Sequence, residues 1–123
     1  MSHPATHHKI NYIEFAATDV ARAQQFYSTV FGWTFTDYGP DYANFHAATA
    51  GIEGGFYRAD PHDPLPKVAP LIVLYSGNLK ETENAITAAG GKIVQPTFSF
   101  PGGHRFHFSD GFGNVLAVWS EQA

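Results

Sequence analysis

A helix-sized segment is written into this chain twice, with the same distance between its start and stop signals, and that repeat restricts the fold more than any other feature. In the first copy Val20, Ala23, Phe26, Tyr27, Val30 and Phe31 recur at steps of three and four, while Arg22, Gln24, Gln25 and Ser28 fall mainly on the other side. Asp19 precedes the run as an N-cap, its carboxylate suited to the free N–H groups and the positive end of the dipole, and Gly32 supplies the stop. The second copy starts at Asn78, continues through Leu79, Thr82, Ile86 and Ala89, and stops at Gly90-Gly91. From Asp19 to Gly32 and from Asn78 to Gly91 the step is thirteen positions in each case. A helix of about 12 residues is marginal in isolation, so each copy needs a sheet to lie on.

The flanking runs supply the sheets. Residues 10–17 alternate Ile10, Tyr12, Glu14 and Ala16 with Asn11, Ile13 and Phe15, the period of a strand. After Gly32 come three aromatic or β-branched runs, 33–38, 42–48 and 52–58, parted by turn residues such as Gly39-Pro40-Asp41. The second copy repeats the plan with strands at 71–76, 92–96, 105–109 and 114–119. The segment 59–69, with Pro61, Pro64 and Pro66, reads as a stiff linker, and 1–9 reads as a flexible tail carrying His3, His7 and His8. Residues 1–123 are therefore expected to form one α+β domain. Its two tandem βαβββ modules, 10–58 and 70–120, would make a curved, half-barrel mixed sheet with the helices outside and a trough inside.

Composition narrows the function classes. With 44% hydrophobic and 15% aromatic residues the chain belongs with globular proteins. A net charge of −4, with seven Lys and Arg scattered, argues against a nucleic-acid partner. The lack of cysteine excludes a disulfide framework, a thiolate metal site and a Cys nucleophile. No apolar run approaches the roughly 18 residues of a membrane helix, and the first residues show no signal-peptide core. A cytoplasmic protein is expected.

The stretch from Asp19 to Trp33, with Arg22-Ala23, Phe26-Tyr27 and Phe31-Gly32-Trp33, resembles the signature of the glyoxalase, bleomycin-resistance and extradiol-dioxygenase superfamily, the vicinal oxygen chelate fold. Ala88-Ala89-Gly90-Gly91-Lys92-Ile93-Val94 agrees, and Asp110-Gly111-Phe112-Gly113-Asn114 resembles the family's closing turn with Gly111 in place of its usual proline. The resemblance implies a trough in which each module gives two ligands, commonly His or Glu, to a divalent ion that holds vicinal oxygens of a substrate. Carried onto this chain, those positions fall on Tyr12, near Gly54 or Gly55, on Leu71 and on Ala117. None is His, Asp or Glu, so no metal and no other cofactor is expected. A divalent metal held by other residues is the alternative, with Glu14, His46, Glu53 and His107 as candidates, against which His46 and His107 read as ordinary strand or core histidines.

Glu14 and Arg105 carry the remaining chemistry. A carboxylate amid Ile13 and Phe15 is either a general base or ligand anchor, or a structural group paired with Arg105 or a tyrosine hydroxyl. Arg105 and His107 share a strand face, where Arg105 is suited to clamping a carboxylate and the 98–103 loop to closing over a ligand. Tyr12, Phe35, Tyr42, Phe56, Tyr75 and Trp119 are expected to line the trough; Ile13, Phe15, Ile72, Leu74, Leu116 and Val118 should face the helices. The leading expectation is a metal-free small-molecule binder, homodimeric, with Tyr12, Glu14, His46, Phe56, Tyr75, Arg105, His107 and Trp119 around its ligand. The alternatives are a glyoxalase-like enzyme using a metal or Glu14 as base with Arg105 stabilising negative charge, and an accessory module receiving a peptide.

Overall fold

The computed structural model describes His7, residues 10–60 and residues 70–123; most of the expected tail and linker lies outside them. In chain order the elements are β1 (Ile13–Ala17), α1 (Val20–Phe31), β2 (Phe35–Asp37), β3 (Tyr42–Phe45), α2 (Ala47–Ala50), β4 (Gly54–Arg58), β5 (Ile72–Tyr75), α3 (Leu79–Ala88), β6 (Lys92–Phe100), β7 (Gly103–Ser109) and β8 (Val115–Ser120). Both capped segments are helices. Asp19 Oδ1 accepts the Arg22 N–H at 3.1 Å and Asn78 Oδ1 accepts that of Glu81 at 3.0 Å, while Gly32 ends α1 at φ 72°.

Each module forms its own four-stranded sheet, ordered β1-β4-β3-β2 and β5-β8-β7-β6, and the first-to-last pair is parallel in both. The fold is thus an open pair of mixed sheets, the second repeating the first. One core serves both. Tyr27 of α1 lies 5.1 Å from Phe56 of β4 and 4.8 Å from Trp33, while Phe26 on the same helix lies 6.3 Å from Phe108 of β7. Phe45, Ile86, Phe106, Leu116 and Val118 complete it with exposures of 1% or less. Burying side chains of this size stabilises by about 1.5–3 kcal/mol each.

A turn built around the buried Asp110 ties the second module to the first. Asp110 is 2% exposed and accepts hydrogen bonds from the Phe112 N–H (2.7 Å), the Asn114 N–H and side-chain amide (3.1 Å each) and the Tyr27 hydroxyl (2.9 Å). The Asn114 amide also donates to the Ala16 carbonyl at 2.8 Å. Burial raises the Asp110 pKa, and the four donors pull against that rise; Tyr27 is pushed well up by burial and by Asp110. Gly111 sits at φ 85°, which a proline ring cannot reach, so the turn takes a different path from one with proline there.

Two elements differ from the sequence reading. The run expected to continue as strand to Ala48 turns at His46 into the short helix α2, because Ala-Ala-Thr-Ala favours helix and has no partner strand, and Gly51 closes it at φ 94°. The 98–103 stretch is no mobile loop: β6 runs on to Phe100 and meets β7 across a two-residue Pro101-Gly102 turn with Gly102 at φ 117°. Pro96 is tolerated inside β6 because that strand is the sheet edge, and the register shifts between Gln95 and Phe98. Among the described residues no helix is long and apolar enough to cross a membrane.

Candidate functional site

Strand register assigns every side chain to one of two faces. Phe15, Phe56 and Ala43 align on the helix side of the first sheet, so Glu14, Gly55, Asn44 and Thr36 form the row on its other face, with Tyr42 and Tyr57 paired beside them. In the second sheet Tyr75, Trp119, Arg105 and Phe98 make one row of the helix-free face, and Val73, Ala117, His107 and Gln95 make the next. Several uncovered apolar side chains are found on or beside these faces. Tyr12, Tyr57, Val73, Val115 and Tyr75 are 40–56% exposed.

The first sheet presents a hydrogen-bonded cluster. The Tyr42 hydroxyl donates to Glu14 Oε2 at 3.0 Å and lies 2.5 Å from the Tyr12 hydroxyl, which also receives the Asn44 amide at 3.4 Å. Burial and the bonds to Tyr12 and Glu14 raise the Tyr42 pKa far above the ordinary tyrosine value, so its hydroxyl stays protonated. Gly55 makes the cluster possible, since a Cβ there would collide with the Tyr42 hydroxyl. Tyr12, Glu14 and Tyr57 then line a cavity of about 730 Å³ whose other wall includes Leu71, Ile72, Gly113 and Val115.

On the second sheet the hairpin turn dictates the arrangement. Phe100 pairs with Gly103 and Phe98 with Arg105, which places the guanidinium over both rings at 5.1 and 5.4 Å. Trp119 lies 6.3 Å from Phe100 and 5.2 Å from Tyr75, and His107 lies 5.8 Å from Phe98. Arg105 Nε and His107 Nε2 are buried and without hydrogen-bond partners. Burial, assisted by the Arg105 charge, lowers the His107 pKa and favours its neutral form.

Several expected site residues sit elsewhere. Phe56 is fully buried on the helix side against Phe15 and Tyr27, and Phe35 packs there on Phe45 and Phe56, so neither lines the trough. The parity was hidden because Gly54-Gly55 erase the alternation that would orient β4. Glu14 takes a tyrosine hydroxyl as its partner and forms no ion pair with Arg105, which belongs to the other sheet. His46 caps α2, with Nε2 2.9 Å from the Thr36 hydroxyl and Nδ1 3.9 Å from Glu53, and Glu53 in turn accepts the Ala47 N–H at 2.8 Å. That bond, with help from Asn44, lowers the Glu53 pKa. Asn44 went unassigned in the sequence, Gly55 figured there only as an implied ligand position, and Phe98 and Phe100 only within the loop expected to close over a ligand. Counting outward from Pro101-Gly102 pairs Phe98 with Arg105, the one signal that pointed to the stacked cation.

The model of the Glyoxalase/Bleomycin resistance protein/Dioxygenase superfamily matches residues 9–118, and the chain belongs to that superfamily. A glyoxylase-like domain-containing protein of Didymella fabae is 31% identical over 123 residues, covering 91% of this chain and 93% of that one. The fold is similar to the crystal structure of a glyoxalase/bleomycin resistance protein/dioxygenase family enzyme from Burkholderia phytofirmans PsJN (TM-score 0.74, 13% identity, 89% of this chain and 96% of that one). It is likewise similar to a glyoxalase-related enzyme from Fulvimarina pelagi (TM-score 0.73, 17% identity, 91% and 87%).

The divalent ion implied by the family resemblance does not fit the groups at the corresponding positions. Tyr12 is bonded to Tyr42, the room beside Gly55 is filled by the Tyr42 hydroxyl, Leu71 has no donor, and Ala117 is wholly buried in register between Val73 and His107. Among the described residues no three His, Asp or Glu side chains are grouped to hold an ion.

Proposed function

We propose that this superfamily member is a metal-independent small-molecule binder whose ligand lies on the helix-free face. The observation that carries this reading is the cavity of about 730 Å³ that Tyr12, Glu14 and Tyr57 line from the helix-free side and Ile13, Phe15 and Ile72 from the helix side, where Tyr12, Tyr57 and Val115 stay 40–51% exposed. Apolar surface of this kind, with a few fixed polar groups in it, is the usual make-up of a ligand site. Glu14 and Tyr12 supply those polar groups, and Asn44, outside the cavity lining, donates its amide to the Tyr12 hydroxyl. With Oε2 held by Tyr42, Glu14 serves as a fixed acceptor for a donor group on the ligand.

The test is a screen of planar compounds, neutral, anionic and cationic, against the amide resonances of Tyr12, Glu14, Tyr57 and Trp119 in the presence of a chelator. Saturable shifts on this face, unchanged when zinc, nickel or manganese replaces the chelator, are expected. Shifts that require the metal, or no shifts at millimolar ligand, would overturn the proposal.

A further inference from the structure

We infer that Arg105 anchors the ligand through an anionic group, and that the ligand class is a planar aromatic carboxylate. This rests on reading the helix-free face as the binding surface, and it places the ligand on the second sheet, on residues outside the lining of the cavity beside Glu14. Arg105 is a half-buried cation whose guanidinium carbon lies over the rings of Phe98 and Phe100, 5.1 and 5.4 Å from their centroids. The rings attract its charge, but they neither neutralise it nor accept from its N–H groups in plane. No carboxylate does so either. The ion pairs among the described residues are His46–Glu53, Arg58–Asp41 and Lys80–Glu83, and Glu121, at the end of β8, receives the Tyr75 hydroxyl at 2.6 Å.

A guanidinium taken partly out of water without a counter-ion is unfavourable in the empty protein and is relieved by a bound anion. Two unpartnered nitrogens mark this spot: Arg105 Nε, a donor, has no acceptor, and His107 Nε2, two residues on along the same face, has no hydrogen-bond partner. The surroundings define the rest of the ligand. Trp119 and Tyr75 continue the aromatic wall from Phe100, so a flat ring attached to the carboxylate has a surface to stack on. A salt-exposed rim arginine would show no such enclosure, and a structural one would be paired.

The experiment compares 2-naphthoate with its neutral isostere 2-naphthamide on the full-length protein, following the amide resonances of Phe98, Arg105, His107 and Trp119. Naphthoate is expected to bind about 10- to 100-fold more tightly, the factor a charged hydrogen bond contributes. Arg105→Met should bring the two compounds level, and in wild-type protein 0.5 M salt should erode the naphthoate preference while leaving naphthamide unchanged. Equal affinity of the two for wild-type protein, with shifts on this face, would refute the anion anchor and leave the binding surface standing. Absence of shifts from either compound would count against both.

Discussion

Replacing Tyr27 with Phe tests the joint between the two modules without disturbing its packing. The ring keeps its contacts with Trp33 and Phe56, and only the hydroxyl that donates to Asp110 at 2.9 Å is lost. Asp110 is 2% exposed and has three remaining donors, the N–H groups of Phe112 and Asn114 and the Asn114 amide. Losing one hydrogen bond to a buried charged group destabilises by about 1.5–3 kcal/mol. In a domain of this size that lowers Tm by about 5–12 °C. The penalty should also depend on pH. Burial raises the folded-state pKa of Asp110 above its unfolded value near 3.8, so its contribution to stability is fully present below that value and declines as pH rises through the folded pKa. The Tyr27 hydroxyl limits that decline by favouring the ionised form. Tyr27→Phe should therefore lose more stability at pH 7 than at pH 3, read by urea unfolding at both. A loss under about 0.5 kcal/mol at pH 7, or equal losses at the two pH values, would refute this account of the joint.

Other perturbations address the site itself. Gly55→Ala puts a Cβ against the Tyr42 hydroxyl and should destabilise by about 1–3 kcal/mol, with Tyr42→Phe in the same chain restoring part of the loss in a double-mutant cycle; purely additive effects would contradict the close approach. His107 has a folded-state pKa below its ordinary 6.5, so its contribution is present above that value and is lost as pH falls through the window. His107→Gln should therefore flatten the stability profile between pH 7 and 5, and an unchanged slope in unfolding midpoints would count against a desolvated neutral imidazole. Asn114→Ala removes donors to both Asp110 and the Ala16 carbonyl, and thermal melts should show a loss of about 1–3 kcal/mol; a silent variant would show that the turn does not hold the first module.

The parts of the fold that were legible in the sequence are those with local causes. The two helices announce themselves because Asp19, Asn78 and Gly32 act through hydrogen bonds and backbone freedom within a few residues. Strand ends and faces depend on partners. Ala47–Ala50 left the sheet where no strand was available to pair with it, and Phe56 turned to the helix side because the register opposite Phe15 required it. The cation site had the same weakness: Arg105 was visible as an isolated charge, but its stacking on Phe98 and Phe100 appears only once the Pro101-Gly102 turn sets the hairpin register. Of the two partners the sequence offered Glu14, it takes the tyrosine hydroxyl, because Arg105 lies on the other sheet.

Metal affinity tests the central claim most directly. Zinc, nickel and manganese would each be titrated calorimetrically into chelator-treated protein in which His3, His7 and His8 are replaced by Ser. No stoichiometric binding is expected, because Tyr12, Gly54 or Gly55, Leu71 and Ala117 occupy the positions where the family resemblance implies ligands. Tight one-to-one binding that is lost on Glu14→Gln or His46→Ala would contradict it and move the site from ligand capture to metal-assisted chemistry.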